Sequence, residues 1–172
     1  PRKGLGQHFL VSKGAVTTII RAADIGPEDT VVEVGPGLGV MTSELVRRAK
    51  RVVAVELDGD LAGRLRTRMP ANVEVVEADA RDVEPESLLN GCTDYKLLGN
   101  LPYYAAMPIL RHFLEGECKP LMAAVLVQLE VAREICAAPG QMSLLSVPRW
   151  SWNRNPSRYF PLEQCSHQHW SL

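Results

Sequence analysis

The residues able to do chemistry fall in five short stretches. Glu33-Val34-Gly35-Pro36-Gly37-Leu38-Gly39 sets three glycines at every second position after a β-branched run. Glycines so spaced let the backbone turn sharply and let a ligand come close, because no Cβ intervenes. Position 40 is Val40, so the G-x-G-x-x-G dinucleotide fingerprint is not met, and Pro36-Gly37 makes the loop stiffer than a phosphate cradle needs. A nucleotide or nucleoside cofactor and a tight structural turn both fit. Glu56 lies about twenty residues further on, at the end of the next β-branched run, where an acid can accept both hydroxyls of a ribose. A solvated strand-end acid, or Asp58 in the same role, is the alternative. Asp79, in Glu77-Ala78-Asp79-Ala80, suits the amino group of an adenine held between apolar neighbours, or else an ordinary helix N-cap.

Gly99-Asn100-Leu101-Pro102-Tyr103-Tyr104 follows the apolar pair Leu97-Leu98 and is the most specific of the five. Pro102 fixes the backbone, so the Leu101 carbonyl and the Asn100 amide point one way, and both can accept from a single exocyclic amino group. Tyr103 then offers a face on which a flipped base can stack; a turn with a core tyrosine is the plainer reading. Gly6-Gln7-His8-Phe9-Leu10, preceded by Arg2 and Lys3, could fold over a bound cofactor or be only an N-terminal arm.

These groups must be positioned by something regular. Val31–Val34, Val52–Leu57 and Val73–Val76 are short β-branched runs ended by a turn or an acid, and each predicts a buried parallel strand, with Ala123–Leu129 a fourth candidate. Helical spacing over Val40–Ala49, Asp60–Met69 and Pro108–Leu114 falls between them. Lys13–Ala23 predicts an entry helix ending before Gly26-Pro27. Strand–helix alternation at this pitch predicts an α/β fold with a mostly parallel, doubly wound sheet.

Composition narrows the class. The chain has 172 residues, 46% hydrophobic and 23% charged, which suits one folded domain and not a disordered chain. No apolar run approaches the ~18–20 residues that span a bilayer. Cys92, Cys118, Cys136 and Cys165 lie far apart without C-x-x-C spacing, which predicts free thiols and no metal site. The net charge of -1 gives no bulk sign of nucleic-acid binding. Any such contact must be local, and Arg2, Lys3, Arg47, Arg48, Lys50, Arg51, Arg64, Arg66 and Arg68 are the candidates; a solvated helix face is the better reading for most of them. A start at Pro1 without Met or signal peptide reads as a trimmed piece of a cytosolic protein.

Taken together, the five stretches resemble the ribosomal RNA adenine N6-dimethyltransferase family. The bacterial small-subunit branch, with its GQNFL or GQHFL arm, VEVGPGLG, an acid in VxELD, an EADA-like segment and GNLPY in this order, is the nearest likeness. The resemblance covers Arg2 to about Val147, and Gln128-Leu129-Glu130-Val131-Ala132 is similar to the family's QKEVA segment with Leu129 in place of a basic residue. It implies a Rossmann-like class I methyltransferase that uses S-adenosylmethionine and no metal. Cofactor contacts would come from His8, Leu10, Gly35, Glu56, Asp79 and Asn100, with Gln7, Gly37 and Ala80 lining the same pocket; family members often have Asn where His8 stands. Asn100, Leu101, Pro102 and Tyr103 would form the catalytic motif. The implied partner is ribosomal RNA in the small ribosomal subunit, met by a monomer in the cytoplasm.

The likeness stops at the tail. Residues 1–147 form the expected methyltransferase domain, while 148–172 match nothing in the family. Trp150, Trp152 and Trp170 all fall in that tail, and the resemblance leads to the expectation that the family's helical RNA-binding domain is missing. The fold is therefore expected to be incomplete at its C-terminal part, and a shifted reading frame or a joined, incomplete chain would account for the break. Two other functions remain open: a large-subunit methyltransferase of the macrolide-resistance type, and a catalytically weak RNA-binding ribosome-assembly factor. A DNA or small-molecule amino methyltransferase is disfavoured, since DNA enzymes usually carry Asp-Pro-Pro-Tyr where this chain has Asn-Leu-Pro-Tyr.

Overall fold

A computed structural model describes residues 13–91 and 93–127. In chain order they form α1 (Lys13–Ala22), β1 (Thr30–Val34), α2 (Val40–Leu45), β2 (Arg51–Glu56), α3 (Gly59–Arg68), β3 (Val73–Glu77), α4 (Pro85–Leu89), β4 (Lys96–Asn100), α5 (Tyr103–Glu115) and β5 (Met122–Leu126). The five strands make one sheet of order β3-β2-β1-β4-β5, parallel throughout. The parallel α/β fold expected from the sequence is thus present.

The order carries the functional consequence. From β1 the chain steps outward through β2 to β3, then returns to lay β4 on the other side of β1. Val32 pairs with Val53 of β2 on one side and Leu97 of β4 on the other. Connections leaving adjacent strands in opposite directions open a crevice at the C-terminal edge of the sheet. The glycine loop after β1 and the Asn100 segment at the end of β4 flank that crevice.

Burial explains why the middle strands are apolar runs. Val31, Val32, Val52, Val53, Leu97 and Leu98 are essentially inaccessible, as expected where helices cover a parallel sheet. α1 sets Val16, Ile19, Ile20 and Ala23 against this layer together with Met41 and Leu45 of α2. One buried charge pins the entry turn: Lys96 Nζ donates to Asp29 Oδ2 at 2.8 Å and to the Asp24 carbonyl at 2.6 Å, and Asp29 Oδ2 also takes the Gly26 amide at 2.7 Å.

Several expected boundaries move. α2 stops at Leu45, short of Ala49, where Asn72 Nδ2 donates to the Val46 carbonyl at 3.1 Å and the chain turns toward β2. α5 starts at Tyr103, five residues before the expected Pro108 start. Pro108 is exposed inside the helix, and the Tyr104 carbonyl that its missing N–H would have bonded belongs to a residue 51% exposed, so water can serve it. β5 is shorter than the Ala123–Leu129 run; Gln128 and Leu129 lie outside the described residues. Cys118 is disulfide-bonded rather than free, a pairing that sequence separation could not reveal.

Candidate active site

The loop after β1 is built on positive backbone dihedrals. Gly35, Gly37 and Gly39 have φ of 69°, 56° and 78°, a region costly for residues with a Cβ. Gly35 still extends the sheet, its amide donating to the Val55 carbonyl at 3.0 Å. A Cβ on Gly35 would lie 3.4 Å from the Asn100 carbonyl oxygen, so β1 and β4 deliver these two site residues to each other. Gly39 serves packing instead: a Cβ there would meet Leu65 Cδ2 at 2.6 Å and Met69 Cε at 2.8 Å. One loop therefore combines a close backbone approach at Gly35 with close packing at Gly39.

Glu56 is buried at the end of β2. Its Oε2 accepts the Gly37 amide at 2.9 Å and its Oε1 accepts the Asp58 amide at 3.0 Å. An ionised carboxylate has about four acceptor sites, so one remains on each oxygen, enough for a vicinal diol. Asp58 is engaged elsewhere: its Oδ1 caps α3 by accepting the amides of Asp60 and Leu61 at 3.0 and 3.1 Å. Of the two acids, Glu56 keeps an open acceptor site on each oxygen, while Asp58 is engaged as the helix cap. Leu57, between them, is 49% exposed and gives this edge an apolar surface that the sequence reading did not single out.

Asp79 follows β3 at the same edge, next to the buried Ala80. Here its carboxylate is held by Arg81. Oδ1 takes the Arg81 amide and Nε, both at 2.9 Å, and Oδ2 takes Nε at 3.1 Å and also Nη2. The Arg81 bonds hold the Asp79 carboxyl below the usual carboxylate range.

At the end of β4, Asn100 pairs with Leu126 of β5, and the Leu101 amide donates to the Leu126 carbonyl at 2.9 Å. Pro102, with φ −67° and ψ 146°, stands as N-cap of α5. Its fixed φ turns an extended strand into a helix within one residue, and Tyr103 opens that helix. Gly99 permits the close approach beneath: a Cβ there would lie 2.9 Å from the Val34 carbonyl oxygen.

The sequence reading missed Glu33 as a chemical group. It is fully buried in β1, directly before the glycine loop, and its carboxyl pKa is raised to about 7. Burial is the main cause, Thr42 offsets it in part, and the Glu56 carboxylate adds to it. Thr42 is the polar group facing Glu33, but among the described residues no contact of either Glu33 oxygen or of the Thr42 hydroxyl has full hydrogen-bond geometry. An acid in an otherwise apolar strand was the available signal.

Most of the basic candidates behave as a solvated face. Arg47 and Arg48 pair with Glu44, Lys50 with Glu28, Arg51 with Glu74 and Arg66 with Glu77. Gln7, His8 and Leu10, with Arg2 and Lys3, lie outside the described residues, as does the Gln128–Ala132 segment. Among the described residues no group of His, Cys, Asp and Glu could hold a metal, and no helix is long and apolar enough to cross a membrane.

The ribosomal RNA adenine dimethylase family model matches residues 1–154. The chain belongs to this family. The dimethylase match runs from the N-terminal arm through every stretch described above. Ribosomal RNA small subunit methyltransferase A of Dehalococcoides mccartyi is 49% identical over 148 residues, covering 85% of this chain and 51% of that protein. The protein of the same name from Pelotomaculum thermopropionicum is 43% identical over 151 residues, covering 81% and 51%. The chain thus spans about half the length of these curated relatives. Among solved structures, the 23S rRNA methyltransferase ErmE aligns with a TM-score of 0.65 at 33% identity, over 73% of this chain and 50% of that one. A dimethyladenosine transferase from Plasmodium falciparum aligns with the same score at 27% identity, over 77% and 47%. The dimethylase fold of this chain is that of the class I S-adenosylmethionine-dependent methyltransferases. Its residues fit that cofactor: a glycine cradle without Cβ atoms, and a buried acid with two acceptor sites to spare at the next strand end.

Proposed function

We propose that this chain carries the S-adenosylmethionine pocket and catalytic motif of an enzyme that dimethylates N6 of adenines in small-subunit ribosomal RNA, in the cytoplasm and as a monomer. The observation that carries the reading is the meeting of Gly35 and Asn100 across the β1–β4 crevice, which sets the cofactor loop against the Asn-Leu-Pro-Tyr motif. Glu56 would accept the ribose hydroxyls and Asp79 the adenine amino group of the cofactor, with Ala80 beside the ring and Gly37 holding Glu56 in place. Gln7, His8 and Leu10 would close over it from the N-terminal arm.

When bound, S-adenosylmethionine supplies a sulfonium methyl that is already electrophilic, so the residues need chiefly to orient the target nitrogen. Asn100 and the Leu101 carbonyl would accept the two amino hydrogens of the target adenine and draw its lone pair out of conjugation. No described amide donates to that carbonyl. Pro102 holds the pair in one direction, and Tyr103 would stack on the flipped base. No strong general base is required, because the amino group sheds its proton after attack. A second round on the same nitrogen gives dimethyladenine.

Labelled methyl transfer to small subunits lacking dimethyladenine tests this, with naked large-subunit RNA as comparison and calorimetric cofactor binding on the same sample. Label on the small subunit, about two methyls per modified adenine, supports the proposal. Label on the large-subunit RNA alone favours the second reading, to which the likeness to ErmE lends weight. Cofactor binding without transfer to either points to a fragment that keeps the pocket but not the grip on RNA.

A further inference from the structure

We infer that Arg81 is a displaceable latch on the adenine end of the cofactor crevice, competing with the cofactor's amino group for Asp79. This rests on the reading of Asp79 as the adenine acceptor. The two acids of the crevice differ in how many acceptor sites they have left. Glu56 has two contacts and two open sites. Asp79 has four contacts, all from Arg81, two on each oxygen, made by three hydrogens because the Nε hydrogen is shared between the oxygens, so about one of its four acceptor sites is left. An adenine amino group therefore meets two oxygens that the guanidinium already engages, and must compete with it for Asp79.

The latch can open at small cost. The Arg81 side chain is 47% exposed and that of Asp79 19% exposed, so the pair is partly solvated and weak. The contact from the Arg81 main-chain amide is independent of the guanidinium and keeps the Asp79 carboxylate oriented when the side chain leaves. Asp82 is the other acid whose charge acts on Arg81.

The test is calorimetric binding of S-adenosylhomocysteine to the full chain, the Arg81→Ala and Arg81→Gln variants, Asp79→Asn, and the Arg81→Ala/Asp79→Asn double variant. Removing the guanidinium should tighten binding about twofold to fivefold, the range an exposed pair can contribute. Asp79→Asn should weaken binding, and in that background Arg81→Ala should change nothing, which a merely structural role for Arg81 would not produce. Unchanged or weaker binding in both Arg81 variants, with Asp79→Asn still weakening it, overturns the latch and leaves the adenine site standing. Unchanged binding in Asp79→Asn overturns the adenine assignment and the latch with it.

Discussion

The amide of Gly37 donates to Glu56 Oε2 at 2.9 Å, tying the tip of the loop after β1 to the end of β2. The bond joins the two elements expected to hold the sugar of the cofactor, so each constrains the other.

Glu56→Gln keeps the side chain's size but removes its charge and turns one of the two oxygens that accept the Gly37 and Asp58 amides into a donor. A hydrogen bond to a charged group is worth about 1.5–3 kcal/mol, so S-adenosylhomocysteine affinity should fall about tenfold or more. Calorimetry reads this directly. Undiminished affinity would place the ribose elsewhere.

Two glycines separate packing from mere conformational freedom. Gly39 has φ 78° and would drive a Cβ into Leu65 and Met69, while Gly63 in α3 has nothing within 4 Å of an added Cβ. Gly39→Ala should destabilise by about 1–3 kcal/mol through strain and overpacking. Gly63→Ala should stabilise by about 0.5–1 kcal/mol, because alanine loses less entropy in a helix. Urea midpoints of the two variants should move in opposite directions; a shared direction contradicts the packing described for Gly39 against Leu65 and Met69.

Glu33 makes stability depend on pH with a definite sign. Its pKa rises from 4.5 in the unfolded chain to about 7 in the fold, chiefly by burial. Below pH 4.5 both states hold the proton and this group is neutral to stability. Between 4.5 and 7 the unfolded chain releases a proton that the folded one keeps, so stability falls as pH rises, by about 3 kcal/mol in all. Above 7 the loss is complete and the group adds no further slope. Glu33→Gln, uncharged at every pH, should flatten this part of the profile and exceed the parent in stability at pH 8. Denaturant melts at pH 5 and pH 8 check it, and an unaltered slope would assign the titration to another group.

Local pattern carried much of this architecture, and long-range geometry carried what it missed. Val31–Val34 and Val52–Leu57 stand within a residue of β1 and β2 because buried parallel strands leave a plain β-branched signature. α4 is five residues long, too short for periodicity to register, although Pro85 at its first position is a start signal. Lys96 is polar in sequence and buried in space only because Asp29, 67 residues away, meets it. The different engagement of Glu56 and Asp58 was not legible in the sequence, because the cap that Asp58 provides to α3 depends on the local turn. Arg81 was invisible as a partner of Asp79, since an acid and a base two residues apart meet only in a turn.

Asn100→Ala bears on the chemistry itself. Its main chain is fixed independently of its side chain, by the register with Leu126 and by the neighbouring Leu101 amide on the Leu126 carbonyl at 2.9 Å, so truncation should leave the fold intact. A preorganised acceptor aimed at the reacting nitrogen is worth about 2.7–4 kcal/mol, or about a hundredfold to a thousandfold in rate. Methyl transfer to small subunits should fall by that factor, while S-adenosylhomocysteine affinity falls much less, because Glu56 and the glycine loop still hold the cofactor. A ribosome-assembly role would behave differently: subunit maturation should survive Asn100→Ala as long as the chain folds. Loss of transfer with maturation retained would assign assembly to the scaffold and methylation to this asparagine, and transfer at the parental rate would remove Asn100 from the chemistry.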